Sequence, residues 1–229
     1  MSFRCIVKDA SGYKTISNEA LLIYNQKVQT TFSKTSGNVT FKVQYPENIT
    51  CGMPTTFKLS SEGTTDKVQY ALYSLTTEDG TIVYDTSYGS NGKFFSKDSF
   101  DFTFYASGTY YIRFAIMDTG VSPYVWFNTG LYGIKLVIDD KGYPTVENVV
   151  ADLKAQCGKT CTTDFEKAVW FNDWLVENCR YDSSYSYCAP EGALARGSGT
   201  CEAYHRAYVM LLNSVGIATD RISGDGHVW

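Results

Sequence analysis

The chain has 229 residues, a mass of 25.6 kDa, a net charge of −4 and an isoelectric point near 5.2. This acidic balance offers no basic field for a nucleic-acid partner, and no apolar run approaches the roughly 18 residues that a transmembrane segment needs. A hydrophobic content of 44% is ample for folded cores, and the length leaves room for two domains.

The first 24 residues carry a hairpin pattern. Apolar and polar residues alternate on either side of a Ser11-Gly12 turn, which predicts two paired strands. The start of this segment resembles the last two strands of an immunoglobulin-like domain, with Phe3 and Cys5 in the places of a Tyr-x-Cys whose cysteine bonds a partner upstream. Because that partner is missing, we expect residues 1–24 to be the terminal hairpin of a truncated domain, and the chain to be a fragment of a longer multidomain protein.

The middle of the chain is dominated by strand and turn signals. Residues 25–37, rich in Thr, Ser, Lys and Gln, are expected to be a linker. Strict alternation predicts a strand over 110–117, and Asp79-Gly80 predicts a hairpin turn. Further strands are expected over 39–45, 55–60, 67–76, 100–105 and 130–138. About seven strands within some 100 residues predict an all-β, immunoglobulin-like sandwich domain over 38–140.

Aromatic residues are dense in the expected loops of this domain. Exposed rings could bind a surface carbohydrate or protein ligand, whereas the alternative is that they pack in the sandwich core or cover its edges. The candidates are Tyr84, Tyr88, Phe94, Phe95, Tyr124, Trp126 and Phe127.

Three helices are expected in the last part of the chain. Apolar spacing predicts one over 145–157, and Thr163 with Glu166 has the spacing of a capping box that opens the second. The third begins at Cys201, after a glycine-containing loop, and ends before Gly216. Cys201 is therefore expected in a first turn, where unpaired N–H groups and the helix dipole favour a thiolate and can stabilise an oxyanion.

A histidine near the end of the chain is the expected partner of this thiol. His227 follows a strand-like segment, 217–223, and a glycine-containing turn, so a helix-to-strand return could bring its imidazole beside Cys201. His205 lies one turn along the helix of Cys201 and is expected on the helix surface or cleft wall. The alternative for Cys201 is a small buried residue on the apolar stripe of that helix.

The residues that carry these features also resemble a known family. The runs TDFEKAVWFNDWLVENCRYD (163–182) and GSGTCEAYHRAYVMLLNSVGIATDRISGDGHVW (197–229) are similar to the transglutaminase-like core of the papain-related cysteine enzymes. The resemblance implies an α+β domain over 141–229 that needs no cofactor or metal, with Cys201 as nucleophile and His227 as general base, then general acid.

The resemblance fails at one member of the family's Cys-His-Asp triad. In the family the aspartate lies on a strand after the histidine, and this chain stops at Trp229. Asp225 is too close to His227 in sequence, and Asp220 would have to face the cleft from the preceding segment. We therefore expect the domain to lack its C-terminal strands and to be impaired in activity, because an unoriented imidazole loses control of its tautomer.

Four cysteines cluster before the third helix. Cys157, Cys161, Cys179 and Cys188 allow three disulfide pairings, and a four-thiolate zinc site or packed reduced thiols are the alternatives.

Three functional hypotheses follow. The first is a secreted or cell-surface cysteine enzyme that transfers or hydrolyses the acyl group of protein or cell-wall peptide amides through a thioester on Cys201. The second is a catalytically inactive surface adhesion or binding module built on the same domains. The third is a metal-binding interaction domain formed by the cysteine cluster.

Overall fold

The computed structural model describes residues 2–3, 6–8, 14–16, 20–21, 29–84, 94–185, 187–225 and 227–228. At the N-terminus, β1 (Ser2–Phe3) pairs with β4 (Ala20–Leu21), and β2 (Ile6–Lys8) pairs with β3 (Lys14–Ile16), both antiparallel. The β2–β3 pairing confirms the predicted hairpin. Its Ser11-Gly12 turn and Cys5 lie outside the described residues.

One sheet contains four antiparallel strands in the order β10-β7-β6-β5. These strands are β5 (Gln29–Ser36), β6 (Val39–Pro46), β7 (Pro54–Glu62) and β10 (Ser99–Thr103). Strand β5 lies within residues 25–37, which we expected to be a linker. It forms because all eight of its residues are in register with β6, and because Phe32 packs against the apolar core.

The second sheet is centred on a long strand, β11 (Gly108–Asp118). Strand β8 (Val68–Thr77) pairs with one edge of β11, and β9 (Ile82–Tyr84) pairs with β8 through the predicted Asp79-Gly80 hairpin. The other edge of β11 is shared by β12 (Val125–Asn128) and β13 (Ile134–Ile138). Gly80 has a φ of +87°, the left-handed conformation that a glycine adopts without strain.

The two sheets pack face to face over one aromatic core. Phe41 and Phe57 from the first sheet and Ile112 and Phe114 from the second are fully buried, and the rings of Phe57 and Phe114 lie 5.3 Å apart. Alternating side chains place these residues on one face of each strand. The N-terminal part of the chain is therefore β-rich and antiparallel, as predicted.

Three helices follow, each beginning within one residue of its predicted start. Helix α1 is Val146–Cys157, α2 is Asp164–Asn178 and α3 is Cys201–Ser214. The reciprocal hydrogen bonds of the Thr163–Glu166 capping box are both present, which confirms the predicted start of α2. A separate apolar core joins the helices, with Phe171 from α2 and Leu211 from α3 among its buried members. No helix in the described part of the chain has the length and apolarity needed to cross a membrane.

Short elements connect these helices. A π-helical turn spans Gly192–Arg196, and β14 (Arg180–Tyr181) pairs in parallel with β15 (Ser198–Gly199). Near the end of the chain, β16 (Ser223–Gly224) pairs with β17 (His227–Val228). Residues 217–222, expected to form most of a strand, have no strand structure because no neighbouring segment supplies the ladder of hydrogen bonds.

The sheets and the helices meet around a buried carboxyl group, that of Glu191, which is 1% exposed. One of its oxygens accepts hydrogen bonds from the Tyr105 backbone N–H at 2.9 Å and the Tyr187 hydroxyl at 2.6 Å. The other accepts a hydrogen bond from the Tyr110 hydroxyl at 2.6 Å. Since Tyr105 and Tyr110 belong to the sheet region, Glu191 links the two parts of the chain.

Candidate active site

A cleft of about 640 Å³ opens between the helices and the end of the second sheet. Cys201 and His227, the two residues predicted from sequence, both line it. The other residues of its wall are aromatic, charged or small: Ile82, Tyr181, Tyr185, Cys188, Thr200, Glu202, Arg206, Arg221, Ser223, Gly224 and Val228. The structure therefore brings a thiol and an imidazole to one solvent-accessible space.

Cys201 is the first residue of α3, as expected from the glycine loop before it. It is half-buried and faces the cleft, whereas Ala203, Ala207 and Leu211 of the same helix are buried in the core. The loop approaches α3 closely, because a Cβ atom added to Gly199 would lie 2.5 Å from Cβ of Ala203. Cys201 is thus not a core residue of the helical stripe.

Two backbone links hold the start of α3 against its surroundings. The N–H of Thr200 donates to the carbonyl oxygen of Tyr187 at 3.0 Å, and the N–H of Cys188 donates to the carbonyl oxygen of Val83 at 3.0 Å. Val83 belongs to β9, so the second sheet supports the loop beside the thiol. Ile82, its neighbour on β9, contributes to the cleft wall directly.

Tyr181 lines the same cleft as the thiol. The parallel β14–β15 pairing aligns Tyr181 with Gly199, two residues before Cys201. Burial raises the pKa of Tyr181, and the charge of Cys201 and a hydrogen bond with its side chain raise this pKa further. The phenol hydroxyl is therefore a direct neighbour of the sulfur, and the rings of Tyr181 and Tyr185 lie 6.1 Å apart.

His227 reaches the cleft on the β16–β17 hairpin. Gly224 is paired with His227, and Ser223 with Val228. Val228 is buried, while His227 is exposed. His205, expected on the helix surface or the cleft wall, is half-buried on α3 and is not among the residues that line the cleft.

The two aspartates considered as substitutes for a third catalytic residue do not line the cleft, although each is next in sequence to a residue that does, Arg221 and Gly224. Asp220 and Asp225 are exposed, and among the described residues no aspartate lines the cleft. Asp225 has a φ of +51°, so it occupies the turn of the hairpin rather than its face. The catalytic roles of Cys201 and His227 remain predictions from sequence.

The charged part of the cleft centres on Glu202, which follows Cys201. Arg221 donates two hydrogen bonds to its carboxylate, at 2.8 and 2.7 Å, and the Nε of Arg206 donates a third at 2.6 Å. Hydrogen bonding from Arg221 lowers the pKa of Glu202 to about 2, with Arg206 adding to the effect and burial opposing it. Glu202 is therefore ionised under ordinary conditions.

Most of the residues that line the cleft were not predicted from the sequence. Glu202 and Arg206 have the i,i+4 spacing of a helical ion pair, which was a usable signal. Arg221 and Tyr181 carried no signal, because each is polar or aromatic in a segment without strong periodicity. Ile82 was expected only as a residue beside a hairpin.

The cysteine cluster does not form a metal-binding group. Cys157, Cys161 and Cys179 are thiols, and within the described ranges no set of three or more His, Cys, Asp or Glu side chains could hold a metal ion. Burial, followed by a hydrogen bond with Cys161, raises the pKa of Cys157 to about 11. These two thiols are therefore adjacent.

The aromatic residues considered as ligand-binding candidates in the sheet region differ in their exposure to solvent. Tyr124 and Trp126 are 65% and 46% exposed, whereas Phe127 is buried and Phe95 packs against the core. Phe94 is half-buried. Tyr88 and the side chain of Tyr84 lie outside the described residues. Two exposed rings thus remain for a ligand.

Comparison with known protein families decides which group the helical part resembles. Residues 151–227 match the family model described as Transglutaminase-like superfamily. The match covers about a third of the chain, begins within α1 and ends at His227, so it includes both predicted catalytic residues. No curated protein and no solved structure gives a significant match. The transglutaminase-like domain indicates a cysteine-type acyltransferase or protease activity.

Proposed function

We propose that the transglutaminase-like domain acts on protein or cell-wall peptide amides, with Cys201 as nucleophile and His227 as general base. The observation that carries the proposal is the shared cleft, in which a thiol from the first turn of α3 and an imidazole from β17 line one space. A nucleophile and a base that line one cleft support nucleophilic catalysis, which needs the two side chains within hydrogen-bond reach of each other.

The first half of the reaction forms a thioester. His227 takes the thiol proton, and the sulfur of Cys201 attacks the carbonyl carbon of the amide while the C=O π electrons move to oxygen. Backbone N–H groups at the start of α3 stabilise this oxyanion. The C–N bond then breaks, and His227 gives its proton to the departing nitrogen, which leaves as ammonia or an amine.

The second half releases the acyl group. Water or an amine attacks the thioester carbon and His227 takes its proton. The C–S bond then breaks, and His227 gives that proton to the departing sulfur, which restores the thiol of Cys201. Water yields a carboxylic acid, and an amine yields a new amide. Cross-linking, deamidation and proteolysis therefore share one intermediate and differ in the acceptor.

The test is selective labelling combined with turnover. Iodoacetamide near neutral pH should alkylate Cys201 faster than Cys161, a half-buried thiol away from the cleft, as measured by peptide mass spectrometry. Turnover is followed as dansylcadaverine incorporation into casein and as ammonia release. Cys201→Ala should lower turnover about 10³-fold or more, and Cys161→Ala should retain it.

Equal alkylation of Cys201 and Cys161, or turnover that survives Cys201→Ala, would overturn the proposal.

An inactive binding module is the second candidate. It is favoured by the exposed rings of Tyr124 and Trp126, and by the lack of an aspartate among the described residues of the cleft wall. Binding to purified cell-wall polysaccharide should then survive Cys201→Ala and His227→Ala and be lost in Trp126→Ala. Loss of binding in the first two variants would contradict this function.

We also propose that the two-sheet region is an immunoglobulin-like module and that the protein acts outside the cell or on its surface. The paired antiparallel sheets support the first point. The adjacent thiols of Cys157 and Cys161 provide a test of the second, because an oxidising compartment converts such pairs into disulfides. Protein recovered under alkylating conditions should contain that disulfide, and two alkylated thiols would contradict an extracellular location.

A further inference from the structure

The segment that carries His227 is tied to the helix of Cys201 by a two-pronged ion pair. Nη1 and Nη2 of Arg221 donate to Oε1 and Oε2 of Glu202 at 2.8 and 2.7 Å. This parallel geometry sets the orientation of both groups as well as their distance. The side chain of Glu202 is 21% exposed, so water competes with the pair only in part.

The pair joins the helix that begins at Cys201 to the segment that leads to His227. Glu202 is the residue after Cys201 in the first turn of α3, and Arg221 lies two residues before β16. The β16–β17 hairpin consists of two residue pairs, and residues 217–222 belong to no strand. A hairpin this short is marginal by itself, so its placement depends on contacts to α3.

We propose that the Glu202–Arg221 pair is a positioning device that holds the imidazole of His227 at the thiol of Cys201. The inference rests on the proposed function, since it assigns the pair to the same reaction. Arg206 supports the device from within α3, because its Nε bond to Oε1 of Glu202, at 2.6 Å, orients the carboxylate toward the hairpin.

The pair also affects the charge around the sulfur. Hydrogen bonding to Glu202 raises the pKa of Arg221, burial opposes this, and the charges of Glu202 and Cys201 raise it further. The titratable and charged groups that face the thiol from the surrounding elements are Tyr181, Tyr185, Cys188, Glu202, Arg206, Arg221 and His227, with Asp79 acting on Arg206.

Removing either partner should therefore have the same effect on the position of His227 and opposite effects on the charge near the thiol. Both Glu202→Gln and Arg221→Gln break the tether, and both should uncouple His227 from the thiol. Loss of the negative charge in Glu202→Gln favours the thiolate, whereas loss of the positive charge in Arg221→Gln disfavours it. A purely structural role predicts no such opposition.

The experiment is a double-mutant cycle on the purified protein, with the rate of Cys201 alkylation by iodoacetamide as the readout. His227→Ala should slow alkylation several-fold in the wild-type background. In the Glu202→Gln background it should have less than about a twofold effect, because the imidazole is already displaced. Alone, Glu202→Gln should raise the alkylation rate relative to Arg221→Gln.

Turnover gives the second readout. Glu202→Gln and Arg221→Gln should each lower dansylcadaverine incorporation about 10- to 100-fold, as expected when a catalytic group is misplaced by about 1 Å. Lys167→Gln, which removes a surface ion pair with Asp164 on α2, is the matched control and should leave turnover unchanged.

The two proposals fail in distinguishable ways. If Cys201→Ala abolishes turnover while Glu202→Gln and Arg221→Gln retain it, the positioning inference is overturned and the proposed function stands. A full effect of His227→Ala in the Glu202→Gln background likewise overturns the inference. Turnover that survives Cys201→Ala removes the proposed function itself.

Discussion

One glutamate lies at the contact between the sheets and the helices, which we call the seam, and another lies at the mouth of the cleft. The hydrogen-bond partners of the two carboxyl groups differ in charge. At the seam, Glu191 is 1% exposed and accepts hydrogen bonds from neutral donors, two tyrosine hydroxyls and a backbone N–H. At the cleft, Glu202 is bound by two guanidinium groups and remains partly accessible to water.

The pKa values of the two carboxyl groups move in opposite directions. Burial raises the pKa of Glu191, and hydrogen bonds from the hydroxyls of Tyr110 and Tyr187 and from two backbone N–H groups only partly offset that effect. Arginine partners lower the pKa of Glu202 to about 2. A buried carboxyl with neutral donors contributes mainly through satisfied hydrogen bonds, whereas one beside solvent with cationic partners contributes mainly through charge. The seam is therefore a stability element, and the cleft pair is available for function.

The largest expected loss of stability comes from removing the carboxyl group of Glu191. Glu191→Ala leaves the donors of this carboxyl group without their acceptor in a buried site, and should lower the free energy of unfolding by about 3 kcal/mol or more. Urea unfolding followed by circular dichroism measures it. Glu202→Ala is the comparison, with an expected loss of roughly 1 kcal/mol or less because its partners are half-exposed. Equal losses would contradict the contrast between the two regions.

A smaller effect comes from removing a single donor at the seam. Tyr110→Phe deletes one hydroxyl bonded to Glu191 and should cost about 1–2 kcal/mol in the free energy of unfolding. The control is Tyr132→Phe, because Tyr132 is 75% exposed and should lose almost nothing. Both variants are compared by urea unfolding at neutral pH, and a neutral Tyr110→Phe would argue against a hydrogen-bonded seam.

The contributions of the two glutamates to stability should change in opposite directions as pH rises. The raised pKa of Glu191 gives a contribution that is present below its ordinary value of 4.5 and is lost as pH rises through the folded-state value. The lowered pKa of Glu202 gives a contribution that is present above 4.5 and is lost as pH falls toward about 2.

Differences in unfolding free energy between the wild type and each glutamine variant, measured from pH 2.5 to 8, test these signs. The wild-type advantage over Glu191→Gln should shrink as pH rises above about 4.5, and that over Glu202→Gln should shrink as pH falls below it. Slopes of the same sign would refute the assignment for one of the two.

The smallest expected effect is that of salt. Raising the ionic strength from about 0.1 to 1 M shortens the Debye length to roughly 3 Å and should narrow the stability gap between the wild type and Glu202→Gln. The gap for Glu191→Gln should stay constant, because buried groups are screened much less. A gap at Glu202 that does not respond to salt would show that packing, rather than charge, holds the pair.

Local signals in the sequence predicted the helices well. The Thr163–Glu166 capping box marked the start of α2, and Gly216, with a φ of +83°, ended α3 as expected. Strand predictions were less reliable where pairing decides the outcome. Strand β5 was missed in a polar segment because its partner β6 stabilises it, and residues 217–222 form no strand because they have no partner.

Some residues of the candidate site were likewise predicted from local signals, and others were not. Cys201 was identified by its place at the start of a helix, and His227 by the strand-like segment and the glycine-containing turn that precede it. Tyr181, Arg221 and Ile82 were not foreseen as cleft residues, since each reaches the thiol through pairing or contacts with distant elements.

The sequence by itself determined the positions of the three helices, most of the strands and the placement of Cys201 in a first turn, because capping, periodicity and glycine geometry act between residues that are near in the chain. Only the tertiary structure decided that Cys201 and His227 share one cleft, that Glu202 pairs with Arg221, and that Glu191 joins the sheets to the helices. These contacts join distant segments, and which segments meet depends on the burial of whole faces rather than on any local pattern.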